Sequence, residues 1–184
     1  MVCIPGEFLS KDFLTKIYKI SSISITTFAK NIEMNFEQLK PNVIQILEDT
    51  SKDRDTKLKT LCQFLSDNVN YYNWVGFYFA NHETKTLHLG PYVGAETDHT
   101  VIPFGKGICG QVAESNANFV VPDVSAQDNY IACSFTVKSE IVVPLFANGK
   151  NIGQIDIDSH VLNPFTEADE RFLEFVNSEV SKLF

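Results

Sequence analysis

The sequence predicts an α+β domain: a central antiparallel sheet, helices packed on one of its faces, and an irregular segment covering a pocket on the other. Three observations carry this. Two segments of helical period come first, at 35–49 and 54–69. Short stretches of strand-like alternation then fill the region from 74 to 158. A last helical segment runs from 166 to the end. Strands grouped apart from helices, rather than alternating with them, define the α+β layer arrangement. A chain of 184 residues suits one domain. We place it at 34–184, with residues 1–33 as an N-terminal tail or extension. That stretch holds the cluster SSISITTFAK and shows no clear period. Glu7 and Asp12 argue against a targeting leader, which is basic and poor in acids.

The first helix carries Phe36, Leu39, Val43, Ile46 and Leu47 at helical spacing. The second puts Leu58, Leu61, Cys62, Leu65 and Val69 on one stripe, with Asp53 or Ser51 available as its cap. On that stripe Cys62 reads as a small buried hydrophobe. WVGFYFA at 74–80 and TLHLGPYV at 86–93 form a hairpin around NHETK. HTVIPF at 99–104 is a short strand. Gly105 and Gly107 break it, and ICGQVAES forms one or two helical turns. NFVVPD is another short strand, and SAQDNYIAC is a loop. SEIVVPLFA and KNIGQIDIDS bracket Asn148-Gly149, a strong hairpin signal. In the final helix Thr166 and Asp169 make a capping-box start, with Phe172, Leu173, Phe175, Val176, Val180 and Leu183 along one side.

Composition excludes several classes. A formal charge of −8 lacks the basic footprint of a nucleic-acid binder. No apolar run reaches the length of a membrane span, and no secretory h-region is present. The cysteines at 3, 62, 109 and 133 form neither a C-x-x-C pair nor a dense scaffold. This usage fits a reducing cytoplasm, with thiols free at rest and any disulfide transient. His82, His88, His99 and His160 have no metal-ligand spacing, and Gly105-Lys106-Gly107 lacks the rest of a P-loop. No metal or cofactor is expected.

Strand alternation locates a site. Val75, Phe77 and Phe79 share one face of their strand, and Trp74, Gly76 and Tyr78 the other. Ile155 and Ile157 oppose Asp156 and Asp158. Ile141, Val143 and Leu145 oppose Glu140, Val142 and Pro144. With the apolar faces against the helices, Trp74, Tyr78, Glu140, Asp156 and Asp158 converge on one cavity beneath the segment holding Cys109 and Cys133. Ionised carboxylates are costly to bury without a partner, which favours a site over a fold requirement. Each residue has a second reading. Trp74 and Tyr78 also fit as core aromatics, and Asp156 and Asp158 as solvent-facing residues. Glu140 also fits as a cap or a partner of Lys138, Cys109 as a small residue at a tight helix start, and Cys133 as a buried loop thiol.

Several motifs then resemble one family. WVGFY, GPY, IPFGKGICG, DV followed by IAC, SEIVVPL, and GQIDIDS followed by FTEADERFLE are similar to the GAF-domain free methionine-(R)-sulfoxide reductases. The resemblance covers roughly 36–183. It implies a GAF-like central antiparallel sheet, a homodimer, and reduction of free methionine-(R)-sulfoxide to methionine with thioredoxin restoring the enzyme. It also implies Cys133 as nucleophile, Cys109 as a second active-site cysteine, and Glu140, Asp156 and Asp158 as ligand-binding carboxylates. Glu140 by analogy donates a proton to the departing oxygen. Trp74 and Tyr78 fall on the aromatic wall. The family's usual third cysteine, shortly after the GP motif, is absent, since the stretch reads GAETDHTVIPFG. Three outcomes stay open. Cys109 resolves the sulfenic acid on Cys133 as a disulfide, an external thiol does so, or reductase activity has been lost. In the last case the chain is a non-catalytic GAF module that binds a small molecule or senses redox state.

Overall fold

The computed structural model describes residues 35–127 and 136–184. Residues 1–33, read from sequence as a tail, and Cys133 lie outside the described residues. A 3₁₀ turn at Phe36–Gln38 leads into α1 (Lys40–Glu48), followed by α2 (Arg54–Asn68). Next come β1 (Trp74–Asn81), β2 (Thr86–Val93) and β3 (Val101–Pro103). Helix α3 (Gly107–Ser115) and strand β4 (Phe119–Val121) precede a 3₁₀ turn at Val124–Ala126. The chain closes with β5 (Ser139–Ala147), β6 (Lys150–Ser159), α4 (Glu167–Val180) and a 3₁₀ turn at Ser181–Leu183. The strands form one antiparallel sheet in the order β3-β2-β1-β6-β5-β4. This is the α+β architecture expected.

The two sheet faces carry different cores. Val75, Phe77, Ile141, Val143, Leu145, Ile155 and Ile157 are almost wholly buried. Alternation sends them to one face, where α2 packs on β1 and β2 and α4 packs on β5 and β6. Leu58, Leu61 and Leu65 of α2, with Phe172, Leu173, Val176 and Val180 of α4, complete that layer. Cys62 is fully buried there, and burial pushes its thiol up to about 12. It is the inert hydrophobe expected. The opposite face is covered by α3, which lies against β2, β3, β5 and β6. There Ile108, Cys109, Val112 and Ala113 pack with Trp74, Tyr78, Leu87, Ile102 and Val142.

Local chemistry sets the helix ends. The expected helix over 35–49 starts at Lys40 instead, because Pro41 lacks an N–H and suits only a first turn. Asp53, not Ser51, caps α2: its carboxylate accepts from the Thr56 backbone N–H at 2.8 Å. The Ser51 hydroxyl instead donates to Asp49. At the start of α4 the capping box forms in full. Oδ2 of Asp169 accepts from the Thr166 N–H and hydroxyl, each at 2.8 Å. Its Oδ1 accepts from the Tyr71 and Tyr72 hydroxyls at 2.9 and 3.0 Å. One buried carboxylate therefore ties α4 to the segment entering β1. Burial, followed by the Asp169 charge, pushes the Tyr72 hydroxyl well up, which keeps it a donor.

This knot gives a direct test. Asp169→Ala orphans the buried Tyr72 hydroxyl and removes the cap, at a cost on the order of 3 kcal/mol. Urea denaturation of the variant and parent measures it. A midpoint unchanged from the parent would show that the four bonds contribute nothing net.

Candidate active site

Register places the acidic residues with little freedom. Along β6, Gln154, Asp156 and Asp158 point to the α3 face, opposite Ile155 and Ile157. Directly across on β1 stand Tyr78, Gly76 and Trp74. Directly across on β5 stand Pro144, Val142 and Glu140. Trp74, Asp158 and Glu140 thus form one row over three strands. Asp156 sits one step along, between Gly76 and Val142. Paired residues on one face hold their Cβ atoms about 5 Å apart, so the three carboxylates are neighbours.

Helix α3 delivers the thiol. Cys109 is the third residue of α3, facing the sheet and 5% exposed. Its Sγ donates to Asp156 Oδ2 at 3.2 Å and lies 3.9 Å from Glu140 Oε1. Gly110 lets the helix come this close to the preceding turn, since a Cβ there would meet the Pro103 carbonyl at 2.5 Å. Cys109, Glu140 and Asp156 line a cavity of about 60 Å³ together with His99, Ile102 and Lys106.

The carboxylates are buried and crowded. Glu140, Asp156 and Asp158 are 4%, 3% and 2% exposed. Oδ1 of Asp156 and Oδ1 of Asp158 meet no hydrogen-bond partner among the described residues. The ion pairs among the described residues lie on α1, α2, α4 and adjoining turns, and none reaches this group. Burial, then the charges of Asp156 and Asp158, push Glu140 well above the usual carboxylate range. Burial and then Asp156 do the same to Asp158. Burial raises Asp156 to about 7, against the opposing effect of the Cys109 hydrogen bond. At neutral pH the group therefore holds protons that ordinary surface acids would release.

The aromatic residues are on the same face but set back. Trp74 and Tyr78 are 7% and 1% exposed and share the buried cluster with Cys109. The Trp74 ring stacks on Tyr92 at 5.2 Å and on Tyr78 at 6.3 Å. Its Nε1–H donates to the Ala95 carbonyl at 3.1 Å. Gly76 and Gly94 form its seat, since a Cβ on either would come within 2.5 Å of the indole. The Tyr78 hydroxyl donates to the His99 carbonyl. Against the expectation of one shared cavity, Trp74, Tyr78 and Asp158 are not among its lining residues in the described structure. Alternation fixes the face a side chain takes, while the cover that α3 provides decides which atoms reach the space. Sequence reading passed over Lys106 and Gln154. The carboxamide of Gln154 is fully buried without a hydrogen-bond partner among the described residues. Extending the Asp156–Asp158 alternation by two residues would have found it.

This architecture has known counterparts. A family model described as GAF domain matches residues 51–182. The free methionine-R-sulfoxide reductase of Saccharomyces cerevisiae is 43% identical over 112 residues, 60% of this chain and 62% of that protein. Protein YtsP of Bacillus subtilis is 36% identical over 136 residues, 74% of this chain and 83% of that protein. The structure of free methionine-R-sulfoxide reductase from Neisseria meningitidis, in complex with its substrate, superposes with a TM-score of 0.77 at 35% identity. That match covers 85% of this chain and 92% of the other. The chain belongs to the GAF-domain family of free methionine-R-sulfoxide reductases.

The raised carboxylates have a consequence for stability. Native Asp156 binds its proton until about pH 7, whereas 3.8 is its ordinary value. The native state holds more protons between those values, so stability falls as pH rises through that window. Each tenfold change in proton affinity is worth about 1.4 kcal/mol, so the full cost of ionising Asp156 is on the order of 4 kcal/mol. Asp156→Asn removes that cost. The variant's denaturation midpoint should decline less than the parent's between pH 5 and pH 8. Parallel declines would show that Asp156 ionises freely in the native state.

Proposed function

We propose that this chain reduces free methionine-(R)-sulfoxide to methionine by thiol chemistry. The observation that carries the reading is the close set of Cys109, Glu140 and Asp156 on one cavity, with no basic side chain paired to its carboxylates among the described residues. The likeness to proteins named as free methionine-R-sulfoxide reductases supports it. A small amino acid brings, as its ammonium group, a positive charge that no described basic side chain pairs with these carboxylates.

On this reading Asp156 and Asp158 hold the ammonium, and Trp74 and Tyr78 form the aromatic wall. Trp74 either encloses the methyl-sulfur end or meets the ammonium by cation–π contact. Cys133 attacks the sulfoxide sulfur. Glu140, held protonated by burial and by its acidic neighbours, gives its proton to the sulfoxide oxygen. The sulfur–oxygen bond breaks as the hydroxyl passes to the Cys133 sulfur, the sulfur–sulfur bond made in the attack breaks with its electrons going to methionine, and Cys133 is left carrying the hydroxyl as a sulfenic acid. The Cys109 thiol then displaces it as water, leaving a Cys109–Cys133 disulfide. Thioredoxin reduces that bond by exchange. Bridging needs the Cys109 and Cys133 Cα atoms within about 7 Å of each other as the bond forms. We place the activity in the cytoplasm, in a homodimer, with residues 34–184 as the catalytic GAF domain and residues 1–33 outside it. Among the described residues no helix is long and apolar enough to cross a membrane.

The roles separate by mutation. Cys133→Ser should abolish turnover while the protein still binds methionine sulfoxide, measured by calorimetry. Cys109→Ser should slow thioredoxin-dependent recycling and leave a sulfenic acid on Cys133 that a dimedone-type probe traps. Parent protein that binds neither sulfoxide epimer would overturn the substrate assignment. Normal recycling by Cys109→Ser, with Cys133 joined to an added small thiol, would assign resolution to an external thiol.

A further inference from the structure

Cys109, Glu140 and Asp156 come from α3, β5 and β6, and their ligand atoms lie within 4.8 Å of one another. A tetrahedral zinc ion has Zn–S near 2.3 Å and Zn–O near 2.0–2.2 Å, which sets a sulfur and an oxygen ligand about 3.5 Å apart. The two observed separations from Sγ, 3.2 Å to Asp156 and 3.9 Å to Glu140, stand on either side of that spacing. Small side-chain rotations bring all three onto one centre.

A second observation points to a ligand. Asp156 Oδ1 is buried on the cavity with no hydrogen-bond partner among the described residues. Uncompensated lone pairs in a low-dielectric site are unfavourable unless a cation or proton meets them. The described residues supply no paired lysine or arginine. The sulfur ligand selects the class of ion. Thiolate favours zinc and similar borderline cations, whereas an oxygen-only site would suit magnesium or calcium. Three protein ligands with a fourth position open to the cavity describe an exchangeable site rather than a closed structural one.

We propose that Cys109, Glu140 and Asp156 bind a thiophilic divalent cation of the zinc class, and that this ion competes with the amino-acid substrate. Binding displaces the Cys109 proton, and the ion occupies Asp156, one of the two carboxylates that would hold the ammonium. It also sequesters the sulfur that would form the disulfide. The competition rests on the reductase reading; the binding does not. Zinc is then a reversible inhibitor, released by a chelator without any change in the thiol's oxidation state.

The test uses the full, reduced chain without substrate. Cobalt(II), a spectroscopic substitute for zinc, should give a thiolate-to-metal charge-transfer band that saturates at one ion per chain. Cys133→Ser should keep the band and Cys109→Ser should lose it. Zinc affinity, measured against a chromophoric chelator, should fall in Cys109→Ser by more than the ~10–100-fold that loss of an outer-shell partner costs. Glu140→Gln keeps the thiol and loses one oxygen, and should weaken zinc by at least ~10-fold with the band retained. It guards against misreading a Cys109→Ser variant that fails to fold. In turnover assays zinc should raise the apparent KM, with full recovery on adding chelator. Absence of the band in the parent, or its survival in Cys109→Ser, overturns the site. A parent with the band but no sulfoxide turnover would instead overturn the reductase reading and leave the cation site standing.

Discussion

Three carboxylates buried side by side on one sheet face, with no basic side chain paired to them among the described residues, are the constraint around which this domain is arranged. Such a group opposes folding unless something supplies positive charge. Burial raises all three acids above their usual range, so protons supply it at rest. On the readings proposed above, an ammonium ligand or a metal ion would replace those protons. The stability lost in building the group becomes specificity for whatever neutralises it.

The rest of the fold keeps that group isolated. One sheet face is filled by helices α2 and α4, with α1 packed against both, and contributes a conventional apolar layer. Because its strands alternate, each apolar residue on that face fixes the side its neighbours must take. Slipping β6 by one residue would bury Asp156 and Asp158 against Leu173 and Val176, an outcome the core does not permit. The apolar layer therefore positions the acids, and the Asp169 knot at the start of α4 holds the helix that completes it.

Much of this was legible in the sequence. Strands β2, β5 and β6 have the bounds their alternation and the Asn148-Gly149 turn imply. The face carrying Glu140, Asp156 and Asp158 follows from the same alternation. Other features depend on cover and depth, which no local pattern encodes. The reading of a helix through 35–49 missed the restart at Pro41. It set Trp74, Tyr78 and Asp158 on a shared cavity; the described cavity is lined by Cys109, Glu140 and Asp156, while the indole stacks on Tyr92 and bonds to Ala95. It brought Glu140 and Asp156 beneath the segment holding Cys109, but not to the particular 3.2 and 3.9 Å contacts with its sulfur. That proximity arises from β5, β6 and α3 meeting in space, with more than 30 residues of sequence between sulfur and acid.

The seat that Gly76 and Gly94 provide for Trp74 has an optical consequence. Trp74 is the one tryptophan of the sequence. Its ring is clamped between Tyr92 and Tyr78, and its backbone is paired with Asp158. Indole emission responds to nearby charge and to the polarity around it. The tryptophan fluorescence of the whole chain, excited beyond the tyrosine band, is therefore a local signal from beside the acidic group. Protonation of the acidic group beside it should register in the unlabelled protein through this single residue.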